Sequence, residues 1–194
     1  MSDVVEIGDC TLHLNDCREV LPTVERADAI ITDAPYEWHM HAAMAKNRIT
    51  RTDGHAPRGA LSFAPIGDLR EFTCREAARI CAGWFLVFST PEGVAAWRDG
   101  IEAVGMRYKR ACAWVKPDAA PQFNGQGPAM GAEMIVSAWF GRGYSRWNGD
   151  GRRGVFTHLT NAPDRHGLHP TEKPLALMRE LVVLFTNPGD FVLD

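Results

Sequence analysis

The sequence predicts an α/β protein whose sheet is largely parallel and covered by helices. Two observations carry that expectation. Short apolar, β-branched runs at 27–32 (ADAIIT) and 83–89 (GWFLVFS) read as strands buried on both faces. Around them lie segments with apolar residues at helical spacing, so strands and helices alternate along the chain.

The elements follow in order. Residues 4–14 have mixed strand character, and Cys17, Val20, Leu21 and Val24 form one helical face ahead of the first buried strand. Residues 37–65 are polar, glycine-containing and aperiodic, which predicts a long loop. A helix is expected over 67–82 from Leu69, Phe72, Ala77 and Ile80, and another from Pro91 to about Ala103. Residues 107–115 and 133–140 read as closing strands on either side of a Pro/Gly-rich connection at 117–131. Pro174 opens a strongly apolar helix to Thr186, and Asn187-Pro188-Gly189-Asp190 turns the chain into a final strand at 191–194. With 194 residues, 45% of them hydrophobic, one domain spanning 1–194 can bury a full core.

Composition removes several classes of function. The sequence has neither an apolar run of about eighteen residues nor a basic, apolar leader, so a soluble cytoplasmic protein with no membrane partner is expected. The five cysteines (Cys10, Cys17, Cys74, Cys81, Cys112) are odd in number and include no Cys-x-x-Cys, which favours reduced thiols over a disulfide framework. His39-Met-His41 lacks further ligands at useful spacing, so no metal is expected. Gly125, Gly127 and Gly131 imitate a dinucleotide loop, but neither the spacing nor the flanking elements suit one.

A formal charge of −3 argues against a protein that grips nucleic acid over its whole surface. It leaves room for local patches. In 141–154, Arg142, Arg146, Arg152 and Arg153 are interleaved with Tyr144 and Trp147, the composition that phosphate contact plus base stacking requires, although a solvated loop has the same appearance. A looser basic run holds Lys46, Arg48, Arg51 and Arg58.

Three motifs stand in a fixed order: Ile7-Gly8-Asp9-Cys10, then Thr32-Asp33-Ala34-Pro35-Tyr36 after a buried strand, then His169-Pro170-Thr171-Glu172-Lys173-Pro174 before the last helix. With the basic aromatic segment between the second and third, the chain resembles the permuted, beta-class DNA amino-methyltransferases over nearly its whole length. The resemblance implies a Rossmann-like methyltransferase sheet, circularly permuted. It also implies transfer of a methyl group from S-adenosylmethionine to an exocyclic amine of a base in double-stranded DNA.

Such an amine is a poor nucleophile because its lone pair is delocalised into the ring. A catalyst must therefore place acceptors on both N–H bonds and hold the nitrogen in line with the methyl group. The resemblance assigns those acceptor roles to the Asp33 side chain and the Ala34 carbonyl, with Pro35 shaping the turn and Tyr36 stacking on a flipped base. Ala34 stands where the family more often has proline, a change that keeps the carbonyl. An acidic residue at position 33 favours adenine N6, with cytosine N4 as the alternative. A non-catalytic DNA-binding or regulatory module and an RNA methyltransferase are further alternatives. The plain readings of these residues are a helix cap for Asp33, a turn for Pro35 and a rim position for Tyr36.

By the same resemblance Asp9 and Cys10 border the adenine of the cofactor, Thr171 and Lys173 its methionine end, and Asp194 opens the next cofactor motif. Glu133 matches a position that is often acidic in the family and receives no role. Residues 141–166 fall where the family carries its target-recognition insertion, which assigns DNA contact to the arginines and aromatics there. The family's glycine-rich loop and the following strand would come after Asp194. A longer chain is therefore expected, with a naturally short protein as the alternative; either way part of the cofactor-binding half is missing from these residues, and the exposed sheet edge is prone to associate into homo-oligomers.

Overall fold

A computed structural model describes residues 3–38, 40, 64–123, 125–163, 165–166 and 171–194. His39, His41, the basic run from Lys46 to Arg58, most of the loop expected at 37–65, and the His169-Pro170 pair lie outside the described residues.

The chain opens with a hairpin of β1 (Asp3–Ile7) and β2 (Cys10–Leu14), antiparallel, with Ile7 opposite Cys10. Gly8 takes φ +59 in its turn, a conformation that glycine adopts at little cost. The mixed strand character expected at 4–14 thus resolves into a two-stranded sheet separate from the main one. Asp9 lies in its turn rather than at the end of a strand of the principal sheet. A four-residue helix α1 (Cys17–Val20) follows, capped by the Asp16 carboxylate accepting from the Arg18 N–H, and a 3₁₀ turn (Leu21–Thr23) ends it. Pro22 lacks the N–H that a longer α-helix would need, which accounts for the change of helix type.

The principal sheet has six strands in the order β7-β5-β6-β4-β3-β8, where β3 is Ala27–Thr32, β4 Cys81–Ser89, β5 Arg107–Val115, β6 Ala132–Trp139, β7 Val155–Thr157 and β8 Val192–Leu193. Strand β3 runs parallel to β4 and β8, and β5 runs parallel to β7. Only β6 is reversed, pairing antiparallel with both β4 and β5. The expectation of a largely parallel sheet holds, with one strand inverted inside it.

Side chains of β4 alternate between two cores, as a pleated strand demands. Phe85 and Val87 face α2 (Leu69–Ile80) and α3 (Val94–Ala103), joining Cys74, Ala77, Ile80, Trp97 and Ile101. Trp84, Leu86 and Phe88 face α4 (Leu175–Phe185) and meet Leu177, Leu181, Leu184 and Phe185. The spacing of those α4 residues forms a single helical stripe, so burying it selects one face of the helix. Each such side chain removed from water contributes on the order of 2 kcal/mol. The helix begins after Pro174, and Asn148 donates through Nδ2 to the carbonyls of Val183 and Thr186 at its other end. Among the described residues no helix is long and apolar enough to cross a membrane.

Candidate active site

The carboxyl ends of β3 and β5, the start of β6 and the entry to α4 converge on one cavity of about 430 Å³. Asp33, Ala34, Pro35, Tyr36, Thr171 and Lys173 all line it, so six residues from two motifs far apart in sequence meet in space. Trp114, Lys116 and Glu133 complete the inner wall, and Asp118, Thr160 and Asn161 lie on the rim formed by the loops after β5 and β7.

The segment carrying Asp33 is held from both sides. Strand β3 ends at Thr32, and the Ile66 N–H donates to the Tyr36 carbonyl at 3.0 Å. Glu37 then accepts from Arg70 of α2 at 2.6 Å and from the Thr90 hydroxyl at 3.2 Å, which fixes the backbone directly after the motif.

Asp33, Tyr36, Glu133, Lys116 and Lys173 form one charged network. Lys173 donates to Oδ2 of Asp33 at 2.8 Å and to the Tyr36 hydroxyl at 3.3 Å, and its Nζ lies 3.4 Å from Oε2 of Glu133. Tyr36 donates its phenol to Oε2 of Glu133 at 2.7 Å, while Lys116 donates to Oε1 of the same carboxylate. The Lys173 side chain is 10% exposed, and its ammonium lies 5.3 Å from the Tyr36 ring centroid and 5.0 Å from that of Phe88.

This network separates the two carboxylates. Burial raises the pKa of Asp33 above the ordinary carboxylate range, the Glu133 charge adds to the rise, and Lys173 opposes both. Burial would raise Glu133 as well, but Lys173 and Lys116 together outweigh it and hold that carboxyl below its usual value. The phenol of Tyr36 is pushed well up by burial and by the charges of Glu133 and Asp33, so it stays a proton donor. Asp194, just after β8, is raised by burial and by the neighbouring Asp33 charge, which puts it at the same end of the sheet.

The remaining expected site residues lie elsewhere. Asp9 and Cys10 occupy the exposed end of the hairpin and do not line the cavity. Arg142, Tyr144 and Arg146 border a second cavity with Asp28, Ala82 and Gly83, at the amino ends of β3 and β4. At about 3.3 Å per residue, the five to six residues of β4 between that end and the level of Asp33 separate the two cavities by roughly 15–20 Å along the strand. Trp147 packs edge-on against Phe185 with ring centroids 5.4 Å apart and donates its indole N–H to the Asp150 carbonyl. Arg152 pairs with Glu180 of α4 at 2.7 Å, and Arg153 is exposed.

The residues that sequence reasoning left without a role are Glu133 and Lys116. The signal for Glu133 was an acidic side chain at the mouth of an otherwise apolar strand, AEMIVSAW. Lys116 carried no such signal, because its partner comes from another strand.

A DNA methylase family model, that of the N6/N4 methyltransferases, matches residues 27–194. The chain belongs to that DNA methylase family. No curated protein sequence matches the chain significantly. Among solved structures, the complex of M1.HpyAVI with S-adenosylmethionine is 21% identical, with a TM-score of 0.64 over 93% of this chain and 78% of the other. The cytosine-N4-specific PvuII DNA methyltransferase is 13% identical with a TM-score of 0.64, covering 92% of this chain and 71% of that one. The DNA modification methylase TTHA0409 of Thermus thermophilus is 20% identical, with a TM-score of 0.58 over 93% and 76%. At these identities the likeness establishes the shared fold.

Members of the family are S-adenosylmethionine-dependent enzymes that methylate DNA. The donor set of the cavity suits such a cofactor. The cavity leaves about 430 Å³ open at the carboxyl ends of the strands, lined by the polar side chains of Asp33, Thr171 and Lys173, which is room for a molecule of that size.

Proposed function

We propose that the cavity methylates the exocyclic amine of a base flipped out of double-stranded DNA, with adenine N6 as the target. The observation that carries this reading is the Asp33 carboxylate. It sits at the carboxyl end of a buried strand beside the Tyr36 ring, with its side chain 35% exposed at a cavity and its charge supported by Lys173.

Bound S-adenosylmethionine supplies an electrophilic methyl group on a positively charged sulfur. The protein's part is to make the amine attack it. Asp33 accepts one N–H of the amine and the Ala34 carbonyl accepts the other, which turns the nitrogen lone pair out of the ring plane toward the methyl carbon. The Tyr36 face holds the base by stacking. Transfer would form the N–C bond and leave the electron pair of the broken S–C bond on the cofactor's sulfur, so the nitrogen would have a proton to shed. Asp33 is the nearest base, and its raised pKa improves the match for that transfer. Adenine is favoured because an ionisable acceptor stands at position 33, where a cytosine N4 enzyme would more usually carry serine.

The test is mass spectrometry of nucleosides released from duplex DNA after incubation with the protein and S-adenosylmethionine. N6-methyladenine is expected, and N4-methylcytosine would reassign the substrate. Asp33→Ala should abolish transfer while leaving cofactor binding within roughly tenfold. A variant that still methylated near the normal rate would overturn the role of Asp33. Structured RNA assayed in parallel should give no product.

A further inference from the structure

Glu133 is 13% exposed at the side chain, yet it carries a charge and holds three partners. Tyr36 donates to its Oε2 at 2.7 Å, Lys173 approaches the same oxygen at 3.4 Å, and Lys116 pairs with Oε1. Lys116 is itself fixed, with its ammonium 4.5 Å from the Trp114 ring centroid. Placing an anion and two cations this far from water is costly unless every charge is paired. The positions that follow, Met134, Ile135 and Val136, show what a purely structural β6 could have used instead.

We infer that Glu133, anchored by Lys116, is a positioning residue of the transfer site: it fixes the Tyr36 phenol and draws Lys173 part-way from Asp33, keeping Asp33 available to a substrate amine. The inference rests on the reading of Asp33 as the acceptor of that amine. The Lys173 ammonium is closer to Asp33, at 2.8 Å, than to Glu133, at 3.4 Å, so it is shared unequally between them. Removing the Glu133 charge would give the whole ammonium to Asp33. Removing Lys116 would leave Glu133 a stronger competitor for it.

Among the described residues, the charged and titratable neighbours that bear on Asp33 are Lys173, Glu133, Tyr36 and Asp194, and those on Glu133 are Lys116, Lys173 and Tyr36. Glu133→Gln keeps an acceptor for the phenol but deletes one anion near Asp33 and frees its cation, and both changes lower the Asp33 pKa. Lys116→Met acts in the opposite direction, because Glu133 then pulls harder on Lys173 and Asp33 becomes easier to protonate. A packing role for Glu133 would move neither value in this paired fashion.

The experiment is a carboxyl-carbon NMR titration of Asp33 in the unliganded full chain for wild type, Glu133→Gln and Lys116→Met, with pH–rate profiles of DNA methylation alongside. The expected result is an Asp33 midpoint that falls in Glu133→Gln and rises in Lys116→Met. The acid limb of the rate should follow each shift, and kcat of Glu133→Gln should drop roughly tenfold with KM for DNA little changed. An Asp33 midpoint that stays fixed in both variants, or moves the other way, overturns the inference. Should Glu133→Gln not fold, the direction of the Lys116→Met shift decides alone. If the wild type transfers no methyl group, the reading of the site fails, while the titration still decides whether Glu133 and Lys116 set the state of Asp33.

Discussion

Lys173 and Asp33 lie 140 residues apart in sequence and 2.8 Å apart in space. The pair joins the entry of the last helix to the end of the first strand of the main sheet, and it sets the charge of the proposed acceptor. Burial and Glu133 both raise the Asp33 carboxyl, so Lys173 is the principal group that keeps it ionised.

Lys173→Met should therefore raise the Asp33 pKa further. The Asp33 carboxyl can take up the departing proton only when ionised, so activity that is present above its pKa is lost as pH falls through it. Raising that value moves the acid limb of the rate upward, and kcat near neutral pH should fall about tenfold or more. The pH–rate profile of the variant checks this. An acid limb at the wild-type position would mean that the ammonium does not govern Asp33.

Much of this arrangement was legible in the sequence because its signals are local. The apolar runs of β3 and β4, the proline that opens α4 and the Asp33-to-Tyr36 motif each depend on neighbouring residues, and each lies where its pattern placed it. What escaped depends on partners far along the chain. The reversal of β6 follows from pairing with β4 and β5, which no periodicity encodes. Glu133 acquires its role from Tyr36, 97 residues away, and Lys116 acquires its own from Glu133 on the adjacent strand. The basic aromatic segment was readable as composition, but its place at the amino ends of the strands follows from the length and direction of β6.

Glu37 and Arg70 form the brace behind the motif, with side chains 20% and 17% exposed. Arg70→Met removes the cation from Glu37 and leaves the Thr90 hydroxyl as its donor among the described residues, a poorly compensated buried charge, and should destabilise the protein by about 2–3 kcal/mol. The double variant with Glu37→Gln should recover part of that loss, since no charge is then stranded. Denaturant unfolding of the two single variants and the double closes the cycle, and additive losses would show that the pair is not coupled.

Asp118 joins the two loops of the cavity rim. Burial pushes its carboxyl up, but the N–H groups of Thr160 and Asn161 and the Thr160 hydroxyl together outweigh that and hold it at about 2. A depressed pKa stabilises the folded rim above the ordinary value of 3.8, and that contribution disappears as pH falls toward 2. The amide resonances of Thr160 and Asn161 should accordingly titrate with a midpoint near 2. Asp118→Asn should remove that titration and loosen the rim, and a midpoint near the ordinary value would show that the three bonds do not persist in solution.

Gly83 tests the frame on which the site stands. The register of β3 against β4 shifts between Ala27 and Ala29, and this brings the Asp28 carbonyl over Gly83. A Cβ there would lie 2.3 Å from that backbone oxygen, closer than any contact a side chain can sustain. Because the obstacle is main chain rather than a flexible tip, Gly83→Ala must push β3 and β4 apart where they carry the core. A loss of about 1–3 kcal/mol is expected, read as a lower thermal midpoint. Asp33 lies at the other end of β3, so the damage should fall on stability first, with methylation per folded molecule retained at low temperature. Equal loss of activity and stability would mean that the strand transmits the displacement along its whole length.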